Sequence, residues 1–409
     1  MADQQYVIVG GGLAAASAIE GIRELDQGGA ITMITAEREL PYHRPPLSKT
    51  FLAGKDTVDA VRVHDAAWYR DQKVRVRLGQ KARSVHIAKQ GVTLETGERI
   101  SYDRLLVATG SSARRLVVPG ADAQGILYLR TLQDSYALRG VLKPGTRLVI
   151  VGGGFVGVEV AATAVHAGVK VTLLEMGPVV YRAFASPELS AFFLKVLQDQ
   201  GVVVRTNVRV ARFAAEGARL SAVVTESGEQ IPADVALVGV GAEPNTAWLG
   251  SSGFQIDRGA LIVNVRLETP GKNVWAAGDV TRFPDPITRQ PRRLEHWGNA
   301  LAQGKHAGRN MAGAGETFTH QAAFFSDIFD LTINVLGETD QPGKVEIRGS
   351  ADPAAPNFTA LYLRGNKLMG AVLVNPMSAD RSAEFDALQK HIGAGTVPEA
   401  DSAWLTAGG

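Results

Sequence analysis

The feature that most constrains the fold of this 409-residue chain is a strand–glycine loop–helix pattern that occurs twice. In its first occurrence the apolar run Tyr6–Val9 leads into Gly10-x-Gly12-x-x-Ala15, and a helical pattern follows. The first glycine permits a tight turn, the second lets a pyrophosphate approach the backbone, and the small third residue lets helix and strand pack closely. A second apolar strand ends near Glu37, where a carboxylate can accept hydrogen bonds from ribose hydroxyls. An ordinary glycine-rich turn of an α/β protein is the alternative interpretation.

The second occurrence is Gly152-x-Gly154-x-x-Gly157, again between an apolar strand and a helical pattern. Glu175 ends the next strand, and a carboxylate there favours a free 2′-hydroxyl over a 2′-phosphate, which predicts NADH rather than NADPH. The neighbouring Met176 brings no cationic partner for a phosphate. Two such units predict two dinucleotide-binding domains, with a flavin and a nicotinamide as the natural pair for hydride transfer.

Composition excludes several other classes of protein. The 43 basic side chains nearly cancel the 41 acidic ones, which argues against a dedicated nucleic-acid or membrane-surface binder. There is no cysteine, so disulfides, cysteine nucleophiles and thiolate-held iron–sulfur clusters must belong to a partner. The start, MADQQYVIVGGG, lacks the pattern of a secretory signal, and no apolar run is long enough to span a membrane. We therefore expect a cytoplasmic protein, and no histidine spacing predicts a metal site.

The last part of the sequence changes character. Phe358–Arg364 and Leu368–Val374 are predicted strands around the turn Gly365-Asn366, and Ala379–Ile392 is a predicted amphipathic helix.

Apolar runs elsewhere in the chain predict further short strands. Between the two glycine loops these are 74–77, 84–87, 91–95 and 105–108. After the second glycine loop they are 202–205, 209–213, 220–225, 235–240 and 273–277.

Eight motifs occur along the chain in the order VIVGGGLAAASA, PYHRPPLSK, LLVATG, LRT, IVGGGFVGVEVA, VGVGAEPN, WAAGDV and RLEHWGNALAQG. Their order and spacing resemble those of the flavoprotein reductases with two dinucleotide-binding domains, specifically the ferredoxin reductases of Rieske-oxygenase and bacterial cytochrome P450 systems. The resemblance covers nearly the whole chain, from about Tyr6 to Ile392.

The resemblance implies an α/β fold of the glutathione-reductase type, with two Rossmann-like domains plus a C-terminal α+β domain. It implies an FAD-binding domain at 1–113 and 244–318, an NADH-binding domain at 114–243, and a C-terminal domain at 319–409. The implied activity transfers a hydride from NADH to FAD and passes electrons singly to a [2Fe–2S] ferredoxin, of the Rieske type or of the vertebrate or bacterial P450 type. We expect a monomer or weak homodimer.

The resemblance also implies two catalytic residues. It places Lys49 near flavin N5, where a cation offsets the charge that reduction adds, and it brings Glu159 towards this lysine. The alternatives are a surface lysine and a helix N-terminal glutamate that only favours the helix dipole. Trp297 corresponds to a flavin-proximal position, with a purely structural core residue as its alternative. The remaining implied cofactor contacts are Arg44 at the FAD phosphates, Thr109, Gly110 and Arg130 along the FAD, Gly278 and Asp279 at the ribityl chain, and Gly241 on the nicotinamide side.

The electron acceptor stays open at this point. The stretch FFSDIFDL, from Phe324, falls where some oxygenase-linked reductases carry tryptophans, and it is similar to monodehydroascorbate reductases. An NADH-dependent reductase of a small organic radical or quinone is therefore one alternative, and a redox-sensing flavoprotein resembling apoptosis-inducing factor is another. Without cysteine, the dithiol chemistry of disulfide-handling relatives is excluded. Arg292 and Arg293 are a hypothetical receiving site for an acidic ferredoxin.

Overall fold

A computed structural model of the chain describes residues 4–341 and 343–399. The chain forms two compact units, each built from separate stretches of sequence. The first comprises Met1–His43, Val58–Ser112 and Glu243–Ala322, and the second comprises Arg44–Thr57, Ala113–Ala242 and Ala323–Gly409. The predicted division into FAD, NADH and C-terminal domains stays a prediction.

The first unit is organised around a five-stranded parallel sheet. Gln5–Val9 lies between Ala30–Ile34 on one side and Arg104–Val107 on the other. The outer positions belong to Val74–Arg77 and Val274–Ala276. The chain order of the strands therefore reverses at Gln5–Val9, and in open parallel sheets ligands bind at the carboxyl ends of the strands at this reversal.

Two helices of the first unit pack unusually closely. A Cβ on Gly304 or Gly308 would come within 2.3 Å of backbone atoms of Leu13–Leu25, and a Cβ on Gly21 would lie 2.1 Å from the carbonyl oxygen of Lys305. Glycine on both sides thus lets Leu13–Leu25 and Trp297–Met311 approach backbone to backbone. This fixes the helix that follows the first glycine loop.

The second unit repeats the parallel sheet. Arg147–Val151 lies between Lys170–Leu174 and Val235–Val238, so the strand order reverses here as well. Val203–Arg205 and Ile126–Leu127 complete the sheet.

An antiparallel sheet at the C-terminus belongs to the same unit. In spatial order its strands are Ala323–Ile328, Leu331–Gly337, Lys367–Pro376, Asn357–Arg364 and Lys344–Ser350. It shares one hydrophobic core with the second parallel sheet. Phe324 packs edge-on against Phe155 and Phe358 against Phe192, with ring centroids 4.9 and 5.1 Å apart.

These features confirm the predicted α/β fold class with a C-terminal α+β part. Of the helices in the described residues, none is long and apolar enough to cross a membrane.

The remaining elements complete the two units. The other helices are Val58–Val61, Ala66–Asp71, Leu132–Val141, Phe155–His166, Pro187–Asp199 and Ser382–Ala394. Short 3₁₀ turns lie at Pro45–Ser48, Ile87–Lys89, Arg182–Phe184 and Ala247–Leu249. The other strands are Ala82–His86, Gly91–Leu94, Arg99–Ser101, Ser111–Ala113, Val210–Glu216, Arg219–Thr225, Gln230–Pro232, Ala242–Pro244, Ile256–Asp257, Ala260–Ile262, Thr281–Pro284 and Pro291–Arg292.

Candidate functional site

The first glycine loop lies at the strand reversal of the first unit. Gly10 has φ +141°, and a Cβ there would stand 2.1 Å from the carbonyl oxygen of Ala108, in the loop after the neighbouring strand. Gly12 is the N-cap residue of the following helix, so no cap side chain hydrogen-bonds to the first N–H groups of that helix. A Cβ on Gly12 would meet no atom within 4 Å. Ala15 is fully buried. The helix N-terminus therefore faces open space, as an anion-binding helix end must.

Glu37 follows the second strand of this sheet, as predicted. Its carboxylate accepts a hydrogen bond from the hydroxyl of the buried Tyr42, and its backbone N–H donates to Thr35 Oγ1 at 3.2 Å. Tyr42 thus orients the carboxylate expected at the ribose. Tyr42 was not singled out from the sequence, because nothing local indicates that a tyrosine five residues later turns back to the strand end.

Two further loops of the first unit carry predicted FAD residues. Gly278 has φ +82°, donates its N–H to Gln303 Oε1 at 2.9 Å, and faces the methyl group of Ala14 beside the first loop. Asp279 is buried and accepts a hydrogen bond from Ser111 Oγ at 2.8 Å. The structure therefore brings Gly278 and Asp279 to the start of the helix behind the first loop.

Thr109 and Gly110 form the loop after Arg104–Val107. Thr109 Oγ1 donates to the carbonyl oxygen of Asn245 at 2.8 Å, and Gly110 has φ +64°. Trp297 begins its helix with a side chain that is 36% exposed, so it is not a core residue, and its Nε1 donates to His43 Nδ1 at 3.1 Å. Burial, together with the nearby His64, lowers the pKa of His43, so the neutral ring that accepts this bond is favoured.

The second glycine loop has the same geometry in the second unit. Gly152 has φ +114°, and a Cβ there would lie 2.3 Å from the carbonyl oxygen of Gly239, after the neighbouring strand. Gly154 caps its helix without a side-chain bond, and a Cβ on it would meet no atom within 4 Å. A Cβ on Gly157 would stand 2.1 Å from the Gly152 carbonyl oxygen. Gly241, at φ +106°, accepts a hydrogen bond from the backbone of residue 114.

Glu175 turns back to the second loop. Its Oε2 accepts from the N–H of Gly153 at 2.8 Å, and its Oε1 accepts from the N–H of Gly177 at 2.7 Å. The stem of the exposed Arg182 lies beside the same glycine. The sequence placed Glu175 correctly at the strand end but did not indicate that Arg182, seven residues later, returns to it.

Lys49 and Glu159, the predicted catalytic pair, are in contact. Lys49 Nζ lies 3.3 Å from Glu159 Oε1 and 4.0 Å from Asp327 Oδ2. It also stands 5.1 Å from the centroid of the Phe325 ring, and that side chain is 43% exposed. The two carboxylates beside Lys49 stabilise its positive charge in this largely buried position. The Lys49 ammonium can then interact with a group bound next to it.

Two serine hydroxyls fix the Glu159 carboxylate. Ser326 Oγ donates to Oε1 at 2.7 Å, and Ser48 Oγ donates to Oε2. All three side chains are buried. Burial and the neighbouring Glu159 charge raise the pKa of Tyr181, which lies beside Ser326, so its phenol stays protonated. Neither serine was predicted, since they come from distant segments and serine carries no local signal for this role.

The guanidinium of Arg44 donates to the carbonyl oxygen of Arg130, so the structure brings these two predicted residues together.

The two arginines of the docking hypothesis lie beside carboxylates. Arg292 lies 3.6 Å from the buried Asp285, and Arg293 pairs with Glu295. Each of the two arginines in the docking hypothesis thus has a carboxylate beside it. Within residues 4–341 and 343–399, no group of three or more acidic, histidine or cysteine side chains could hold a metal ion.

Known proteins match this chain over most of its length. Residues 4–304 match the family described as pyridine nucleotide-disulphide oxidoreductase, and residues 323–404 match the family described as reductase C-terminal. Putidaredoxin reductase of Pseudomonas putida is 33% identical over 390 residues, 94% of this chain and 92% of that protein. The ferredoxin–NAD(+) reductase component of the biphenyl dioxygenase system of Paraburkholderia xenovorans is 36% identical over 358 residues, 88% and 87% of the two chains.

A solved structure shows the same likeness. The crystal structure of the covalent putidaredoxin reductase–putidaredoxin complex superposes with a TM-score of 0.90 at 31% identity, covering 97% of this chain and 94% of the other. The chain belongs to the pyridine nucleotide-disulphide oxidoreductase family, and it is an oxidoreductase. The resemblance to ferredoxin reductases is confirmed, and so are the predicted cofactors FAD and NAD(H).

Proposed function

We propose that this protein takes a hydride from NADH and passes electrons, one at a time, to a [2Fe–2S] ferredoxin that serves an oxygenase or a P450. The observation that carries the proposal is the pair of helix N-termini at Gly12 and Gly154, which have no side-chain cap and each lie at the strand reversal of their own parallel sheet. One chain thus offers two separate dinucleotide sites.

The residues at both sites fit the two cofactors. We assign FAD to the first unit, with Gly10, Gly12 and Ala15 at its phosphates, and with Glu37 at the ribose of its adenosine. The space that a Cβ on Gly12 would enter is open, as a phosphate requires. The other proposed FAD contacts are Arg44, Lys49, Thr109, Gly110, Arg130, Gly278, Asp279 and Trp297.

We assign NADH to the second unit. Gly152, Gly154 and Gly157 form its phosphate loop, and Gly241 lies on the nicotinamide side. Glu175 is the carboxylate that accepts hydrogen bonds from the ribose hydroxyls. Its two oxygens each accept one backbone N–H and each keep a further lone pair for a hydroxyl.

Lys49 and Glu159 are the proposed catalytic residues. FAD, when bound, supplies the capacity to accept two electrons together and release them singly. The Lys49 ammonium supplies fixed positive charge where reduction adds negative charge, in a region partly shielded from water. Glu159, held by Ser48 and Ser326, keeps that ammonium in place.

The direction of electron flow follows from composition and from the relatives. With no cysteine in the sequence, the chain has no disulfide of its own to reduce. The names of two relatives pair them with an electron-carrier protein, putidaredoxin or a ferredoxin, and the similar solved structure holds putidaredoxin reductase joined to putidaredoxin. An external one-electron carrier is therefore the proposed acceptor. We further propose that the protein works as a monomer or weak homodimer in the cytoplasm.

The decisive experiment is an anaerobic titration of the FAD-loaded protein with NADH, followed by an acceptor panel. We expect near-stoichiometric bleaching of the visible flavin absorbance by NADH, and little by NADPH. Reduced protein should then transfer electrons to putidaredoxin or to a Rieske-type ferredoxin faster than to a quinone, ascorbyl radical or oxygen.

Two results would overturn the proposal. Faster turnover with the quinone or the radical than with either ferredoxin would identify a small molecule, and not a ferredoxin, as the acceptor. Slow turnover with every acceptor, together with a long-lived reduced protein and an NADH-dependent change in mass, would indicate a redox sensor instead. Ferricyanide, which needs no docking site, serves as the control that NADH reduces the protein.

A further inference from the structure

The proposed reaction produces one proton for every NADH that it consumes. A hydride consists of two electrons and a proton, whereas a [2Fe–2S] ferredoxin accepts a single electron and no proton. One NADH and two oxidised ferredoxins therefore give one NAD⁺, two reduced ferredoxins and one H⁺. That proton has to reach water during the oxidative half of the cycle, and a base positioned beside the flavin accelerates such a transfer.

Lys49, the residue proposed to lie near the flavin, pairs with two carboxylates that differ in their exposure. Its Nζ lies 3.3 Å from Glu159 Oε1 and 4.0 Å from Asp327 Oδ2. The Lys49 and Glu159 side chains are 13% and 9% exposed, whereas the Asp327 side chain is 25% exposed. Asp327 therefore connects the buried ammonium to solvent.

The other titratable groups of this cluster are poorly placed to release a proton. Glu159 Oε1 accepts from Ser326 Oγ at 2.7 Å as well as from Lys49, and Oε2 accepts from Ser48 Oγ. Burial and the charge of Glu159 raise the pKa of Tyr181, so its phenol stays protonated. Both Glu159 and Tyr181 are buried, so neither can pass a proton directly to water.

Asp327 has one oxygen fixed by the sheet and the other next to Lys49. Thr332 lies opposite Asp327 across the antiparallel strands, and its hydroxyl donates to Oδ1 at 3.0 Å. The 4.0 Å between Oδ2 and Nζ can be closed by rotation of the lysine side chain or bridged by one water molecule. Phe325 points to the same face of the strand and is 43% exposed, so this side of the cluster faces solvent.

We propose that Asp327 receives the proton produced in the oxidative half of the cycle and passes it to water. This inference rests on the proposed function and adds the residue that completes its proton balance. In one exchange, the Lys49 ammonium donates a proton to Asp327 and takes up the proton that leaves the flavin, so Lys49 keeps its charge. Asp327 then releases its proton to water, and the carboxylate is restored. No electron passes through these side chains.

Stopped-flow measurements on the FAD-loaded protein separate the two halves of the cycle. NADH first reduces the protein without oxygen, and excess ferricyanide, which takes electrons without protons, then reoxidises it in weak buffer with a pH-indicator dye. In D327N the reduction by NADH should keep its native rate, whereas reoxidation and the appearance of the proton should slow about tenfold or more. The slowed step should also show a larger solvent deuterium isotope effect than the native protein does.

Further variants separate proton transfer from a change of charge. D327E keeps a carboxylate and should reoxidise faster than D327N. In D327A, added formate should restore part of the lost rate, because a small carboxylate can occupy the vacated position. The matched control is D330N, which removes the same charge from the exposed turn of the same hairpin and should behave like the native protein. Melting temperatures establish that each variant is folded.

The outcomes distinguish this inference from the proposed function. Reoxidation of D327N at the native rate would overturn the role of Asp327. Slower reoxidation with a native isotope effect, and without rescue of D327A by formate, would overturn it as well, because Asp327 would then act only through its charge. If NADH does not bleach the flavin of the native protein, the proposed function itself is wrong, and this inference fails with it.

Discussion

Gly154 and Gly157 of the second loop allow cofactor binding to be separated from folding. A Cβ on Gly154 would enter open space at the helix N-terminus, where φ is −84° and any residue is tolerated. A Cβ on Gly157 would stand 2.1 Å from the carbonyl oxygen of Gly152 and 3.3 Å from a methyl group of Ile150. We therefore expect G154A to damage NADH binding and G157A to damage the fold.

The magnitudes follow from these distances. In G154A the new methyl group meets no protein atom, and an alanine in place of glycine at a helix N-cap costs about 1 kcal/mol or less. The same methyl group stands where a phosphate must approach the helix N–H groups, so the dissociation constant for NADH should rise at least about tenfold. In G157A the backbone of the loop must move, which costs about 1–3 kcal/mol and lowers the melting temperature by about 2–12 °C.

Calorimetric titration with NADH and thermal unfolding, applied to both variants, check this reasoning. Native-like affinity for NADH in G154A would mean that the pyrophosphate does not lie at this helix end. Equal melting temperatures for G157A and the native protein would refute the steric argument. G12A offers a matched control, because it makes the equivalent change in the first unit and should leave the affinity for NADH unchanged.

Three further changes test other parts of the molecule. E159Q keeps the shape of the carboxylate but removes the charge opposite Lys49, so stopped-flow reduction by NADH should slow at least about tenfold, and an unchanged rate would contradict the catalytic role. R381M leaves the buried Glu384 without its cation and should lower the free energy of unfolding by about 3–5 kcal/mol in urea denaturation, whereas R381M with E384M should recover most of the loss. Burial lowers the pKa of His320 in the native state, while the unfolded chain takes up the proton near pH 6.5. The free energy of unfolding should therefore fall as the pH drops below about 6.5, and less steeply in H320Q; a melting temperature that rises on acidification would contradict this.

Elements that follow from local sequence were predicted well. The helix Leu13–Leu25 begins directly after the first glycine loop, and the strand Lys170–Leu174 ends just before Glu175, both as predicted. A glycine loop and a strand-end carboxylate are local signals that mark these boundaries. The hairpin of Asn357–Arg364 and Lys367–Pro376 turns at the predicted glycine. Both strands are longer than the predicted apolar runs: the first begins one residue earlier, and the second begins one residue earlier and ends two residues later.

Other elements had signals that the sequence reasoning did not use. Pro187–Asp199 has proline in its first turn and an N-cap serine that accepts the N–H of Leu189. Leu132–Val141 begins with a complete capping box formed by Thr131 and Asp134.

The candidate site was predictable only in part, because its polar groups come from distant segments. Lys49 and Glu159 are 110 positions apart and could be paired only through a family resemblance. Ser326, 167 positions from Glu159, could not be paired with it at all. Local patterns identify loops that bind phosphate with backbone atoms, whereas side-chain networks require the tertiary fold.

The register of the C-terminal sheet links that fold to the chemistry of the site. Ser326 pairs with Ile333 across the antiparallel strands, which directs its hydroxyl to the buried face and leaves the adjacent Phe325 exposed near Lys49. Side chains alternate along a strand, so a slip of one residue would turn the serine outward and bring a phenyl ring towards Glu159. The carboxylate would lose a hydrogen bond inside a buried environment, where an unmet acceptor is costly. The core positions that set this register, such as Ile333, therefore also determine the electrostatics around Lys49.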